Sequence, residues 1–441
     1  MKGHFAIART AFPIILANAT VPLLGLADTA AIGHTGGAQD LGAIALGALV
    51  FSFLYWGFGF LRMSTTGFVA QAAGAGDYTE VRDVALRAGL MGIAIGVMLV
   101  ALQYVIGVVA LYLLDASDAV KHGVRTYFDV RIWGAPATLT TFAVLGVLIG
   151  LGKTRHLLWL QLVLNGLNIA LNVFFVIGLD WGVKGIAMGT AIAEWSSLLL
   201  GIWMVHRILN TLCPDGDKSW PWFADRGKLW QMITTNGNIM VRTLALLVGF
   251  AWFANQGARF GDATLAANHV LLQFVSFSAF FLDGYAYVVE MMVGRAIGAH
   301  REQTFRKVLK QANQLAGATA LLLALLFFGI GVPAIHGLTS DTAVRTVAQQ
   351  YLPYACAYIL FSFYAFQLDG VFIGATRSRE MRNASVFSLM VFIACSAVLT
   401  AHFGNAGLWL AFISYVLVRG LSLAYYLPRV AARFAKRLRD N

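Results

Sequence analysis

About twelve apolar runs, each long enough to cross a bilayer, follow one another along this chain with short polar gaps between them. A spanning helix needs roughly 20 apolar residues. The runs lie near residues 10–33, 41–72, 86–114, 125–151, 157–179, 185–207, 234–257, 264–298, 309–335, 345–375, 383–402 and 405–428. Inside lipid the backbone must satisfy its own hydrogen bonds, so these runs read as helices. The expected fold class is therefore an all-α polytopic membrane protein of 12 transmembrane helices. Only 12% of the residues are charged and 59% are hydrophobic, against about 25% charged in a soluble domain. A length of 441 residues leaves no room for a sizeable soluble domain beside the spans. The first 30 residues lack a compact apolar stretch ending in a small-residue cleavage site, so the first helix is expected to be permanent. The net charge of +11 would suit nucleic acid. The basic residues sit in loops and the tail, however, so the expected partner is the lipid bilayer and not a nucleic acid. Cys213, Cys356 and Cys395 are odd in number and scattered, which gives neither a disulfide framework nor a metal spacing.

An internal repeat organises the helices. Shifting the chain by 224 residues pairs Gly25 with Gly249, Ala27 with Ala251, Gly33 with Gly257 and Leu41 with Leu265. It also pairs Ser52-Phe53 with Ser276-Phe277, and there are 13 identities in the 52 positions from 25 to 76. The same shift sets GVLIG at 146–150 on GVFIG at 370–374, and Arg155 on Arg379. Two homologous six-helix lobes follow. Six is even, so the repeat is a parallel one about an axis along the membrane normal. The expected division is an N-lobe over 1–207, a linker over 208–233, a C-lobe over 234–428 and a basic tail over 429–441. About 23 of the 32 Lys and Arg fall at the termini and in the loops on their side of the membrane, against about 5 in the opposite loops. This asymmetry puts both termini in the cytoplasm. The tail RVAARFAKRLRDN reads as a solvated stop.

Ionisable residues inside spans are functional candidates, because burying their charge is costly. Here they are Asp28, Arg62, Glu194, Arg242, Asp283, Glu290, Asp369 and Arg419. Asp28 stands alone in PLLGLADTAAIG, with no Lys or Arg between Arg9 and Arg62. Its repeat partner is Trp252, so this carboxyl belongs to the N-lobe alone. Burial penalises its charged form, which makes it a natural proton carrier; ringed by amide or hydroxyl oxygens, it would instead hold Na⁺. The fifth span offers such groups in Asn165, Asn168 and Asn172, which share a helix face. Thr190 and Glu194, four residues apart in the sixth span, can close the cluster. Interhelical hydrogen bonding is the alternative role for the amides. Pro13 lies 15 residues before Asp28. It reads either as a kink-forming hinge or as a helix-entry proline. In the other half, Asp283 and Glu290 share a face of the eighth span, Asp369 lies in the tenth and Arg242 in the seventh. Substrate or proton binding and buried pairing are equal readings for this group. No GxxxxGK[ST] phosphate loop, no HExxH and no Ser-His-Asp set at one depth is present, so neither a built-in ATPase nor an enzyme is expected.

The segments LADTAAIGHTG (26–36), FLRMSTTGFVAQAAGAGD (60–77), GVLIGLGKTR (146–155), LNIALNV (167–173), FFLDGYAYVVE (280–290) and LDGVFIGATRSREMRN (368–383) occur in this order. With them the chain resembles the multidrug and toxic compound extrusion (MATE) transporters over nearly its full length, and most closely their damage-inducible (DinF-type) bacterial branch. The resemblance implies two six-helix lobes, alternating access, and efflux of small amphipathic drugs or toxic metabolites driven by H⁺ or Na⁺. It implies no cofactor, no metal, a monomer, and the bacterial plasma (inner) membrane. In prokaryotic relatives an aspartate of the first helix joins polar residues of the fifth and sixth. Asp28, Asn168, Asn172 and Thr190 match those positions, and Pro13 matches the kink proline. Many relatives carry a second carboxylate where this chain has Asn172. A lone carboxylate weakens a dehydrated Na⁺ site more than a proton site, so H⁺ is favoured. In another branch a glutamate of the seventh helix joins an aspartate of the tenth. Asp369 fits the latter, whereas Arg242 stands near the former. Two other readings compete: a flippase for a lipid-linked precursor within the same superfamily, and a major-facilitator carrier. The latter lacks its usual GxxxDRxGRR-like loop, having GAGDYTEVRD at 74–83.

Overall fold

The computed structural model describes residues 2–22, 37–114, 116–213 and 225–437. Asp28 lies outside the described residues, as does the middle of the linker. All regular structure among the described residues is helical: α1 (Lys2–Ala19), α2 (Ala38–Trp56), α3 (Phe60–Ala75), α4 (Tyr78–Ala101), α5 (Gln103–Leu113), α6 (Asp118–Arg131), α7 (Ala135–Gly150), α8 (Thr154–Val173), α9 (Gly182–Leu212), α10 (Arg226–Ala258), α11 (Asp262–Gly298), α12 (Glu302–Leu338), α13 (Thr342–Gly374) and α14 (Ser378–Arg437). Among them ten stretches are long and apolar enough to cross a membrane. The last is two spans joined at Gly404, whose φ of 58° breaks the helix, between the expected spans 383–402 and 405–428. The first expected span falls partly on residues outside the description.

Several boundaries differ from the sequence reading, each for a local reason. The second span is α2 and α3, parted at Gly57–Gly59, where two glycines lower helix propensity. The third starts at Tyr78, eight residues early, because the Asp77 carboxylate caps Glu80 N–H at 2.9 Å. The fourth is α6, a 3₁₀ turn at Ile132–Gly134, and α7 with Pro136 in its first turn. The linker is shorter than 208–233, since α9 runs to Leu212 and α10 starts at Arg226. The basic tail is not simply solvated. Its helix continues through Arg437 and buries Val430 and Phe434, the latter against Phe305 of α12 with ring centroids 5.4 Å apart.

The chain divides into two compact units, residues 16–233 and residues 1–15 with 234–441. In the first unit α4 lies on α7, α3 on α7, and α8 on α9. At one end of it Glu80 ties Arg87 at 3.0 Å and Lys228 at 2.5 Å. The second unit holds α11, α12 and α13 on one another and α14 on α13. Its core is aromatic: Phe412 meets Phe253 and Tyr358, both at 4.5 Å between centroids. The amino-terminal part of α1 belongs to this second unit: His4 Nε2 lies 2.8 Å from Gln314 Oε1. Pro13 sits well inside α1, so the helix-entry reading fails.

The repeat is written into the backbone more plainly than into the side chains. Left-handed conformations occur at Gly76 and His300, at Gly152 and Thr376, and at Asp180 and Gly404. Each pair is separated by 224 residues, the shift found in the sequence. All three mark helix ends, where a left-handed residue turns the chain out of the helix.

Candidate functional site

In the first unit α8 carries Asn165, Asn168 and Asn172, which are 7%, 1% and 1% exposed. An amide facing lipid would waste its hydrogen bonds, so the stripe turns inward. Asn172 Nδ2 donates to Asn168 Oδ1 at 2.6 Å, a contact that their four-residue spacing allows. Asn165 Nδ2 instead donates to Thr20 Oγ1 at 2.6 Å, and the Thr20 hydroxyl in turn donates to Ala17 O at 2.6 Å. The stripe thereby reaches α1. Just beyond Asn172 the helix widens into a π turn over Phe174–Gly178, a distortion frequent at functional sites. The sixth-span helix α9 passes the stripe at Gly189, where any side chain would strike Asn172 Oδ1. Thr190, next to it, is buried.

Glu194 does not join the amides. One turn beyond Thr190, it faces Arg131 of α6, with Nη2 3.6 Å from Oε1. The guanidinium also donates to Tyr127 Oη at 2.6 Å and stands 4.8 Å above the Phe51 ring. The six coupling candidates therefore separate: Asn168 with Asn172, Asn165 with Thr20, Thr190 beside the α9–α8 contact, Glu194 with Arg131, and Asp28 outside the described residues.

In the second unit Asp369 of α13 sits between two arginines. Arg242 of α10 donates from Nη2 to Asp369 Oδ2, and Arg419 of α14 places Nη2 3.7 Å from the same oxygen. All three residues are less than a tenth exposed. Arg419 also lies 5.9 Å from the Phe366 ring and interacts electrostatically with Asp283 of α11. Glu290, two turns further along α11, is also buried. The charges form a compensated network centred on Asp369.

Arg419 was counted among the ionisable residues within spans without a partner, and Arg131, which also lies within a span, was given no role. It missed Tyr55, Tyr127 and Thr20, and a buried knot in the second unit. There Asn268 and Asn405 exchange hydrogen bonds at 2.8 and 3.0 Å, and Trp409 Nε1 donates to Asn268 Oδ1 at 2.9 Å. One signal was available for that knot: Asn268 is an amide in a span with no charge nearby, as Asn168 is.

Residues 13–174 and 239–417 match the MatE family. The chain is 38% identical over 422 residues to the DNA damage-inducible protein F of Escherichia coli (strain K12), covering 95% of this chain and 91% of that one. It is 23% identical to a probable multidrug resistance protein NorM of Halalkalibacterium halodurans, over 97% of this chain and 95% of the relative. Its fold is that of the Vibrio cholerae MATE transporter VcmN in the bent form, with a TM-score of 0.88 over 98% of this chain and 99% of that one, at 19% identity. The expected resemblance to the damage-inducible branch holds at the level of sequence, and the all-helical multi-pass fold holds at the level of structure. The chain belongs to the MatE family of multidrug and toxic compound transporters, which are membrane carriers and not enzymes.

Proposed function

We propose that this protein exports amphipathic, often cationic compounds in exchange for H⁺, by alternating access, as a monomer in the bacterial inner membrane with both termini cytoplasmic. The observation that carries the reading is the buried amide stripe Asn165–Asn168–Asn172, which reaches α1 through Thr20. In this proposal Asp28 exchanges hydrogen bonds with Asn168 and Asn172 according to its protonation. Protonation from outside bends the first helix at Pro13 and releases drug outward; deprotonation toward the cytoplasm resets it. The stripe brings amides where a second carboxylate would strengthen Na⁺ binding, which favours H⁺ over Na⁺. Orientation rests on the loop charges.

The test is substrate efflux from proteoliposomes with ΔpH and Na⁺ gradients imposed separately, for wild type and Asp28→Asn. Efflux driven by ΔpH and lost in Asp28→Asn is the expected result. Drive by Na⁺ alone, or wild-type coupling in the variant, overturns the reading. A flippase for a lipid-linked precursor needs free cationic groups for its phosphates. The engagement of both Arg242 and Arg419 by Asp369 speaks against it.

A further inference from the structure

Glu194 is a buried carboxyl that the amide stripe does not use. It is 7% exposed, and its Oε2 is fully covered with no hydrogen-bond partner. Its other oxygen faces Arg131 at 3.6 Å, beyond hydrogen-bonding distance. Around it, Tyr55 Oη of α2 and Thr138 Oγ1 of α7 are likewise covered and without hydrogen bonds. Thr138 lies beside both the Tyr55 phenol and the Glu194 carboxyl. The groups engaged with Glu194 are thus Arg131 of α6, Tyr55 of α2 and Thr138 of α7, with Tyr127 behind Arg131. Among these interactions α4 and α8, which also pack on α9, contribute no titratable group.

An ionised carboxylate taken out of water demands partners for both oxygens. This one has half of what it needs, within a pocket that offers two ways to complete it. It can close on Arg131, or it can take a proton and use the O–H toward Thr138 and Tyr55. Arg131 tolerates either choice, because Tyr127 Oη and the faces of Phe51 and Tyr127 hold the guanidinium independently of Glu194. The pocket also adjoins the weak point of the fourth span. Glu194 Oε2 rests against the bare Cα of Gly134 in the 3₁₀ turn between α6 and α7. Its neighbour Trp195 donates from Nε1 to Trp133 O at 3.0 Å in the same turn. Pro136, with no N–H to give, keeps that turn from closing into continuous helix.

We propose that Glu194 is a second proton-carrying site of the first unit, separate from Asp28 and the amides. Arg131 is its alternate partner, and the Ile132–Gly134 turn is the element its charge works upon. This deepens the reading of the protein as a proton-coupled exporter and rests on it for the link to transport. The proton comes from solvent, binds Oε2, and leaves when the carboxylate closes on Arg131.

Two readouts on the full-length protein test the site. Infrared difference spectra between acidic and alkaline buffer report carboxyl protonation without transport. We expect a protonated-carboxyl band that is absent in Glu194→Gln and retained in Asp28→Asn. In proteoliposomes Glu194→Gln should bind substrate but lose the pH dependence of efflux, and adding Arg131→Gln should not restore it. A Glu194→Gln spectrum that overlays wild type overturns the proposal. So does a Glu194→Gln/Arg131→Gln protein with the wild-type pH profile, since the pair would then be only structural. If Glu194→Gln does not purify as a single species, Glu194→Asp answers the same question: a band with a moved midpoint supports the site, an unmoved midpoint refutes it. Wild-type liposomes indifferent to ΔpH would defeat the exporter reading instead, and the infrared arm would still decide whether Glu194 titrates.

Discussion

Replacing Asp369 by Asn removes one negative charge from between two buried guanidiniums. Arg419 Nη2 stands 3.7 Å from the carboxylate; at an effective dielectric near 20 such a pair attracts by about 4 kcal/mol. Arg242 is held more closely still. The substituted amide would offer one neutral oxygen to two cations that then repel each other. Removal of one partner from a buried pair costs about 3–5 kcal/mol, and here two cations lose the same partner, so the upper part of that range is expected. The second substitution makes the reasoning specific. Arg242→Gln added to Asp369→Asn takes away the pair as a pair and leaves one buried guanidinium, Arg419, where the single variant leaves two. The double variant should therefore be more stable than Asp369→Asn alone, with a coupling energy of about 1–3 kcal/mol. Denaturant and thermal unfolding of the purified full-length protein in detergent, read by tryptophan fluorescence, measures all four corners of the cycle. Wild-type stability in Asp369→Asn would refute the reasoning, as would strict additivity in the double variant.

Three further outcomes can be checked by the same unfolding assay. Thr376 adopts φ 53° where its repeat partner Gly152 has φ 64°. A left-handed residue with a Cβ costs about 1–2 kcal/mol, and glycine's extra freedom when unfolded returns about 0.4–1 kcal/mol of that. Thr376→Gly should accordingly stabilise slightly and Gly152→Thr destabilise; the reverse order would discredit the pairing of these turns. Asn268→Leu strands the Asn405 amide and the Trp409 indole N–H, at about 1–3 kcal/mol for each unsatisfied group, and unchanged stability would show the knot to be idle. Lys228→Ala breaks a pair with a half-exposed lysine and should move stability by less than about 1 kcal/mol; a large loss would mean that this end of the unit depends on the contact.

The sequence announces what depends on periodicity and on cost. Long apolar runs mark the spans, and amides at 165, 168 and 172 in such a run had to be buried together on one face. What it hides is rotation about each helix axis. Helices that are apolar nearly all round carry little record of which side meets which neighbour. Glu194 could thus be grouped with Thr190 by spacing, although its partner Arg131 lies 63 positions earlier on another helix. The partner of Arg419 was out of reach for the same reason. One local break was legible, the gap between the spans 383–402 and 405–428 where Gly404 stands; the turn before Pro136 was not read, although that proline helps to force it. The repeat was visible at 13 of 52 positions, while the turns conserve conformation where identity has gone: His300 matches Gly76 and Asp180 matches Gly404 in backbone alone.

The membership of residues 1–15 in the unit built from 234–441 has a consequence for biogenesis. Chains are made from the amino terminus, and domains tend to fold as they emerge. Here residues 1–15 find neighbours such as Gln314 only after some three hundred more residues have been made. Residues 16–233 can compact as soon as they are inserted, but residues 1–15 of α1 must wait undocked. Helices α11 and α12, which enter the membrane much later, therefore complete the first one, and a truncation that removed them would leave a defect far from the cut, at residues 1–15.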